Sequence, residues 1–564
     1  MTLFKMPPAP PGARPGPVVA QAAGIAAGFG RWIDRTILQL GREMRLSYLP
    51  PLMVYAAAGV SGLTGIVGVF FVKDYLGLSA AFLASLGFWA GIPWALKMPL
   101  GHIVDLIWNY KSALVYLGAL LLAASLLIMV GLLADAEAMG RVMSVEAWYV
   151  ASALLAPIGF VLQDVVADAM TVEAVPRVDA QGRPIDEGQR KLMNTTVQTL
   201  GRVAIIGGGV LVALINVYMF RGVDTLAPAE KALIYQKVYT ASLIVPLLSV
   251  SGVLLASFLK RRQRQRVRRL GVSGNAVPPG ESATGEVRPN WAILGGSLAF
   301  AVLSVGLGVS GLPFAQELIF GGSLAIVVFL MRRLLTALEP VSRHTLVGTA
   351  IVIFAYRATP TPGPGVTWWM IDNLHFDQQF LSVLALIGSG ITLAGLFLFR
   401  HYVAEHSIAR IVMILAVLGA FLGLPLLGMY YGLHEWTAAR TGGLVDARFI
   451  ALVDTALESP LMQISMIPML AWIANSAPIG LKATYFAVMA SFTNLALALG
   501  QLGTKYLNEI FIVTRQVSDP ATGAITVHAD YSQLGLLMIS AGLLSLALPL
   551  LAILATRRLR LGTA

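Results

Sequence analysis

Three carboxylates interrupt one strongly apolar stretch, "GFVLQDVVADAMTVEAV" at residues 159–175. A carboxylate at the middle of a lipid-facing helix costs about 2.5–3.5 kcal/mol on insertion scales, so such groups face protein or water instead. Asp164 and Asp168 are spaced i, i+4 and share one face of a helix. Because two carboxylates so close together do not both ionise easily, we predict that this pair binds a proton or cation. The alternative is a structural ion pair with an intramembrane Lys or Arg.

Arg357 comes immediately before a Pro- and Gly-rich segment, "RATPTPGPGV" at residues 357–366. Proline cannot donate a backbone hydrogen bond, so the helix is expected to kink or unwind there and to line a cavity. The guanidinium group can donate two parallel hydrogen bonds to a carboxylate, which predicts a role in binding an anion. The alternative partners of Arg357 are Asp454 and Glu458, which we also place at the substrate site.

Lys97 and Arg202 are two further basic residues inside apolar stretches. Lys97 precedes Pro99 and is expected to pair with the acidic residues of 159–175, the alternative being that it extends to the membrane surface. Arg202 follows Gln198 by one helical turn and is expected to line the same cavity. Both are therefore predicted to help bind a substrate.

Composition predicts what positions these side chains. The chain of 564 residues is 57% hydrophobic and 12% charged, with a mean hydropathy of +0.75, as expected of an integral membrane protein. Apolar windows recur that are long enough to cross roughly 30 Å of hydrocarbon as a helix. They lack sustained polar alternation, which favours helices over a barrel. We predict fourteen spans: 49–72, 79–104, 111–133, 147–173, 196–219, 237–259, 291–309, 313–331, 345–371, 379–399, 409–430, 448–475, 482–511 and 533–555.

The net charge of +11 is distributed unevenly. Most Lys and Arg lie on one side if the spans alternate, including the run "KRRQRQRVRR" at residues 260–269, and this side is predicted to be cytoplasmic. Residues 31–46 are expected to form an amphipathic helix at the cytoplasmic interface. We therefore predict a multi-pass inner-membrane protein with both termini in the cytoplasm and no nucleic-acid partner.

The chain contains an internal repeat. "DYLGLSAAFLASL" from Asp74 and "DNLHFDQQFLSVL" from Asp372 share D-x-L-x-[LF]-x-x-x-F-L-x-x-L at an offset of 298 residues. The pair Asp164 and Asp168 likewise corresponds to Asp454 and Glu458 at an offset of 290. Repeats of six helices around a central site are typical of the major facilitator architecture. The predicted divisions are a tail with interfacial helix (1–48), a six-helix half (49–259), a basic linker (260–290), an inserted two-helix hairpin (291–344) and a second six-helix half (345–564).

Four motifs resemble the folate-biopterin transporter family of the major facilitator superfamily: "PWALKMPLGHIVD" (93–105), "QDVVADAMTVEAV" (163–175), "RATPTP" (357–362) and "PMLAWIANSAPIGLKATYFAVMASFTNLA" (468–496). They occur in both halves and in the family's order. The resemblance implies a secondary transporter for a folate- or pterin-like molecule. The alternatives are a carrier of another amphipathic or anionic metabolite, for which Lys482 and the inserted hairpin are the motivating departures, and a non-transporting assembly factor.

The resemblance also implies a cytoplasmic gate. "GHIVD" ends the second span, where Gly101 is expected to permit close helix approach and Asp105 to cap or bridge neighbouring helices. Glu173 lies near the cytoplasmic end of the fourth span and is predicted to contribute to the same gate. These three residues are expected to serve conformation rather than substrate binding.

Small and aromatic residues suggest packing more than ligand binding. Gly59, Gly62, Gly65 and Gly68 recur every third residue and predict close helix packing in the first span. Aromatic residues such as Trp368 and Trp369 could stack on a flat ring, although most are expected in the core or at the membrane interface.

Motifs of other activities are missing from the sequence. There is no cysteine, no P-loop, no nucleophile elbow and no ligand-like spacing of the seven His residues. We therefore predict no enzyme activity, no cofactor and no metal, and a monomer whose partners are the bilayer and a small-molecule substrate.

Overall fold

The computed structural model describes residues 39–562 apart from 77, 96, 176–184, 270–290, 311, 336–339, 399–405, 460–481 and 519–524. The first half of the amphipathic helix predicted for 31–46 lies outside this range, and within the second half only Gln39–Arg42 is α-helix. Almost all regular structure within it is helical.

The first part of the chain forms the N-terminal bundle. Its helices are α1 (Gln39–Arg42), α2 (Leu49–Val60), α3 (Gly65–Tyr75), α4 (Ala80–Ala95), α5 (Lys97–Leu106), α6 (Ser112–Ala134), α7 (Ala136–Gly140), α8 (Val145–Ala174), α9 (Glu187–Met219), α10 (Pro228–Ala241) and α11 (Ile244–Arg269). Helix α11 runs ten residues into the predicted linker, because Arg, Lys and Gln have good helix propensity.

The remaining helices form the hairpin and the C-terminal bundle. The hairpin consists of α12 (Trp291–Val309) and α13 (Ala315–Leu335). The C-terminal bundle consists of α14 (Pro340–Arg357), α15 (Gly365–Asp372), α16 (Gln378–Leu398), α17 (Ile408–Leu422), α18 (Leu424–Tyr430), α19 (Leu433–Arg440), α20 (447–459), α21 (Lys482–Ile510) and α22 (Leu534–Arg558). After α21, β1 (Val517–Ser518) pairs with β2 (Ile525–Val527) in an antiparallel ribbon.

Each predicted window contains helix, but the count of fourteen spans is not confirmed. In the described residues, ten helical segments are long and apolar enough to cross a membrane, and Leu294–Gly308 is a shorter apolar helix. The division into domains at the predicted boundaries stays a prediction. The two repeated aspartates do occupy equivalent places, since α4 begins six residues after Asp74 and α16 begins six residues after Asp372.

Besides short breaks in the spans 237–259 (between α10 and α11) and 409–430 (between α17 and α18), two predicted spans are interrupted. A 3₁₀ turn at Ser61–Thr64 separates α2 from α3. The window 345–371 breaks after Arg357, and helix resumes at Gly365. The second break is the unwinding predicted from its prolines, and it is confirmed.

Glycines allow close contact between helices at selected points. A Cβ at Gly59 would lie 2.2 Å from the backbone oxygen of Ile205, so α2 and α9 pack with their backbones in contact. The other three glycines of the predicted stripe are looser. A Cβ at Gly62 would meet only Val212 at 3.9 Å, and one at Gly65 would meet no described atom within 4 Å. The stripe is therefore a close-packing surface only at its first residue.

Two seams join the bundles, and the hairpin covers one of them. Helices α9 and α16 form one seam and α4 and α21 the other. Phe300 and Ile319 of the hairpin pack against side chains from both α4 and α21. Gln316 Nε2 donates to Ser85 Oγ of α4 at 2.5 Å, while the next residue, Glu317, lies 3.5 Å from Lys505 Nζ of α21. The hairpin thus touches both bundles.

Candidate functional site

The acidic pair lies around one lysine. Lys97 Nζ, at the start of α5, is 2.5 Å from Asp164 Oδ2 and 2.8 Å from Asp168 Oδ2, both on α8. Tyr55 of α2 donates its hydroxyl to Asp168 Oδ1 at 2.6 Å. We call these four residues the acid–lysine cluster. The structure contains the predicted ion pair between Lys97 and the acidic residues, and it adds a tyrosine that the sequence analysis did not identify.

The acid–lysine cluster is partly accessible to water and has more negative than positive groups. The side chains of Lys97 and Asp164 are each 19% exposed, whereas that of Asp168 is 39% exposed. With both carboxylates ionised, the cluster carries one net negative charge. Asp168 is therefore the more water-accessible of the two carboxylates.

A chain of hydrogen bonds continues from α8 to α9. Thr171 Oγ1 donates to the backbone oxygen of Asp168 at 2.6 Å, and Gln198 Nε2 donates to Thr171 Oγ1 at 3.0 Å. Arg202, one turn beyond Gln198, makes no hydrogen bond or ion pair within the described residues. The structure therefore leaves Arg202 available near the cluster without placing it on the acids.

Arg357 ends α14 at the break in the ninth predicted span. Its Nε is buried and has no hydrogen-bond partner in the described part of the chain, and the same holds for Asp454 Oδ1. No ion pair joins Arg357 to Asp454 or Glu458 there. The described residues therefore do not show the alternative in which Asp454 or Glu458 neutralises Arg357.

The predicted gate is only partly visible. Lys111 Nζ lies 2.6 Å from Glu173 Oε1 and 3.7 Å from the centre of the Trp108 ring. The side chain of Asp105 lies outside the described residues. Gly101 does not permit close approach as expected, because a Cβ there would meet no described atom within 4 Å.

A second charged group lies around Lys73. One predicted span, formed by α4 and α5, separates Lys73 from Lys111 along the chain, so this group is at the end of the bundle opposite Lys111. Lys73 Nζ of α3 is 2.6 Å from Asp372 Oδ1 of α15 and 3.7 Å from Asp74 Oδ1. The two repeat-related aspartates therefore share one lysine. Tyr531 donates to Asp372 Oδ2 at 2.6 Å. Burial and then this hydrogen bond raise the pKa of Tyr531, so the phenol stays protonated and donates.

Arg515, between α21 and β1, completes this group. Its guanidinium donates to the backbone oxygens of Lys73 at 3.0 Å, Leu78 at 2.7 Å and Val72 at 2.8 Å, and also to that of Leu76. These oxygens lie at the C-terminal end of α3 and just beyond it, where most backbone acceptors lack intrahelical donors, although the oxygen of Val72 also accepts from Leu76 N–H at 3.4 Å. The guanidinium carbon also lies 4.4 Å from the centre of the Trp368 ring. We call Lys73, Asp372, Tyr531 and Arg515 the Lys73 latch, since it joins the two bundles.

A cavity of about 490 Å³ lies beneath the latch. Its walls come mainly from the N-terminal bundle, with Pro364, Thr367 and Trp368 added from the broken span. No Lys, Arg, Asp or Glu lines it, and none of the predicted site residues does. This cavity and the predicted charged site are therefore separate places.

Sequence reasoning missed four residues at these sites. Tyr55 lies in an apolar helix with no motif, and Arg515 and Tyr531 lie in a connection outside the predicted spans. Lys73 did carry a signal, because it precedes the aspartate that begins the internal repeat. A lysine beside a repeated acid at a helix end could have suggested a contact between the repeats.

Comparison with known proteins agrees with the sequence motifs. A model of the BT1 family matches residues 315–560. The folate-biopterin transporter of Synechocystis sp. (strain ATCC 27184 / PCC 6803 / Kazusa) is 23% identical over 470 residues, covering 83% of this chain and 75% of that protein. The expected relationship to the folate-biopterin transporter family is confirmed. The probable folate-biopterin transporter 6 of Arabidopsis thaliana is 22% identical over 162 residues, 29% of each chain.

Solved structures confirm the major-facilitator-type fold of this relative of the folate-biopterin transporters. The nucleoside transporter NupG aligns with a TM-score of 0.52 at 12% identity, over 91% of this chain and 100% of its own. A POT family transporter in complex with 5-aminolevulinic acid aligns with a TM-score of 0.54 at 13% identity, over 91% and 96%. These structural matches concern the fold alone, whereas the family model, the curated relatives and the apolar helices support a multi-pass membrane transporter rather than an enzyme.

Proposed function

We propose that this transporter is a proton-coupled carrier of a folate- or pterin-like anion. The acid–lysine cluster is the observation that carries the proposal. It places two carboxylates on one lysine, inside a span, with Asp168 accessible. Charged groups at this depth are costly and are retained where ions or protons pass.

Neutralisation of the cluster supplies the coupling. With both acids ionised the cluster has a net charge of −1, and one bound proton makes it neutral. A neutral cluster is less costly to enclose when the bundles close over it, since an uncompensated buried charge is strongly disfavoured. Proton binding at Asp168 therefore favours the closed form, and proton release favours opening.

The anionic end of the substrate binds at Arg357. This guanidinium group is partly buried at the break after α14, and its Nε has no described partner. An arginine in this state can accept a carboxylate with two parallel hydrogen bonds. Arg202 supplies a second cation from the opposite bundle, and the partnerless Asp454 Oδ1 accepts a donor from the same substrate.

The substrate class and the location follow from the relatives and the charge pattern. The curated relatives are named as folate-biopterin transporters. The Lys111 end faces the cytoplasm of an inner membrane, with both termini on that side, because the basic end of α11 lies there. The carrier works as a monomer, with Glu173 and Lys111 contributing to the gate at this end.

Uptake of radiolabelled folate into proteoliposomes of both orientations, with and without a pH gradient, tests the proposal. Accumulation that depends on the gradient is expected. Asp168→Asn should abolish this accumulation and keep exchange of labelled for unlabelled folate, because exchange needs no net proton movement. Glu137→Gln is the matched control, since Glu137 pairs with Arg141 on an exposed helix. Gradient-driven accumulation by Asp168→Asn at the wild-type level would remove the coupling role.

A further inference from the structure

We propose that the cavity beneath the Lys73 latch binds the uncharged, planar heteroaromatic end of the transported substrate, apart from the charged end. This inference rests on the proposed function, which places the anionic end at Arg357. It assigns the two ends of one amphipathic molecule to two places in the fold.

The uncharged lining of the cavity favours a neutral group. All four charged residue types are absent from its lining, which is apolar with scattered hydroxyl groups. Placing a carboxylate in such a cavity would leave the charge without a partner, at high cost. An aromatic ring with hydrogen-bonding edges has no such cost and matches an apolar cavity with a few polar groups.

Two phenols in the wall lack partners. Tyr149 of α8 and Tyr239 of α10 line the cavity, and neither hydroxyl makes a hydrogen bond within the described residues. The hydroxyls of Ser125 and Ser152, which also line it, bond to each other at 2.9 Å. Buried tyrosine hydroxyls usually find a partner. The two phenols are therefore available to donate to a carbonyl oxygen or a ring nitrogen.

The shape of the cavity suits a flat group. Gly65 and Gly68 leave one wall without side chains, and a Cβ at Gly65 would meet no described atom within 4 Å. Trp368, 2% exposed, also lines the cavity, and Arg515 lies over its indole ring. A planar ring placed against the glycine surface meets few side chains that would have to be immobilised.

The size and position also fit an amphipathic molecule. A volume of about 490 Å³ falls within the range of about 300–1,000 Å³ found for small-molecule sites. Pro364, which lines the cavity, follows Arg357 by seven residues, so the two lie within about 25 Å of each other even if the chain is extended. One substrate can therefore reach both places.

Binding of two separate probes to the purified full-length chain tests this assignment. The probes are 6-hydroxymethylpterin, an uncharged ring, and 4-aminobenzoylglutamate, a charged tail, each measured by isothermal titration calorimetry in detergent. Tyr149→Phe and Tyr239→Phe should each weaken ring binding by about 2- to 10-fold, because each removes one hydrogen bond. Gly65→Leu should abolish ring binding by filling the cavity. Binding of the tail should change less than 2-fold in all three variants.

Matched controls separate site effects from general damage. Tyr218→Phe alters a tyrosine of α9 that is 81% exposed, and Gly419→Leu adds the same side chain at another glycine with open surroundings. Both should bind the ring as wild type does. All variants should elute as monodisperse protein on size exclusion.

Two outcomes overturn the inference. Ring binding that is unchanged in Gly65→Leu and in both phenylalanine variants would place the ring elsewhere, even if folate uptake is normal. Tail binding that is lost in Gly65→Leu, with normal elution, would show that the cavity takes the charged end. Absence of folate uptake alongside ring binding that Gly65→Leu abolishes would instead reject the proposed substrate and keep the cavity as a site for neutral rings.

Discussion

The acid–lysine cluster and the Lys73 latch use the same chemistry in different places. Each has a lysine between two carboxylates and a tyrosine that donates to one of them. The cluster draws all its members from the N-terminal bundle. The latch takes Lys73 from the N-terminal bundle and Asp372, Tyr531 and Arg515 from the C-terminal part of the chain.

This difference determines what each group can do. Contacts within one bundle persist while the bundles rock against each other, so they contribute to the stability of every state. Contacts between bundles must break when that end opens, so they bias the balance between states. Disrupting the cluster should therefore lower the free energy of unfolding, whereas disrupting the latch should change which end is open.

The largest effect is expected for Lys97→Met. Removing the lysine leaves Asp164 and Asp168 side by side without a cation. Breaking a fully buried ion pair costs about 3–5 kcal/mol, so this partly exposed cluster should lose up to about 3 kcal/mol. The free energy of unfolding in detergent, from denaturant titration, should fall accordingly. The triple variant that adds Asp164→Asn and Asp168→Asn should recover most of the loss. Arg141→Met, which breaks an exposed pair, is the control and should change stability by less than about 1 kcal/mol.

A smaller effect, on accessibility rather than stability, is expected for Arg515→Ala. The chain has no native cysteine, so Thr367→Cys provides a single reporter in the cavity wall. A membrane-impermeant maleimide should label it on the order of 30-fold faster when Arg515 is removed, because several charge-assisted hydrogen bonds between bundles are lost. Arg440→Ala removes an arginine that lies over Trp436 without joining the bundles, and its labelling rate should equal that of the parent.

Lys73→Met should also speed the labelling of Thr367→Cys, by about 5-fold. Its ion pair with Asp372 is one contact of the latch, where Arg515 provides four. Combining it with Asp372→Asn should give a coupling energy of about 1 kcal/mol in a double-mutant cycle. Strict additivity of the two variants would mean that the pair does not hold the bundles together.

The smallest effect is expected at the hairpin. Gln316→Ala and Glu317→Gln each remove a partly buried contact, one to α4 and the other to α21. Each should change the transport turnover by about 2-fold, since a single pair of this kind contributes less than about 1 kcal/mol. Ser310→Ala, at the turn of the hairpin, is the control. Equal turnover in all three would show that the hairpin does not affect rocking.

The sequence allowed the fold to be predicted further than the site. Long apolar windows and the repeat of Asp74 in Asp372 were strong signals, because hydropathy and spacing are local properties of the chain. The break after Arg357 was predicted for the same reason, since proline acts on its own helix. The number of spans was predicted less well, because the window 345–371 is interrupted after Arg357 and the window 448–475 lies partly outside the described residues.

Contacts between distant helices were the part that could not be predicted. The i, i+4 spacing placed Asp164 and Asp168 on one face, and Lys97 was correctly named as their partner. Nothing in the sequence around Tyr55 or Arg515 indicates what they contact, since their hydrogen-bond partners are 113 and at least 437 residues away. For the glycine stripe, the sequence predicted helix contacts that are not there. The 3₁₀ turn at Ser61–Thr64 interrupts the helix, and Gly65 and Gly68 after it line a cavity instead of a helix contact.

Because Arg515 donates hydrogen bonds to backbone oxygens of the other bundle, separation of the bundles exposes those oxygens to water. Four carbonyl oxygens at the end of α3 are satisfied by this one side chain while the bundles are joined. Once the bundles separate, solvent must replace the donors that Arg515 provided, so opening requires the uptake of a small number of water molecules. The balance between the two states is therefore sensitive to water activity. An excluded osmolyte such as sucrose should slow labelling of Thr367→Cys, and Arg515→Ala should lose part of that sensitivity.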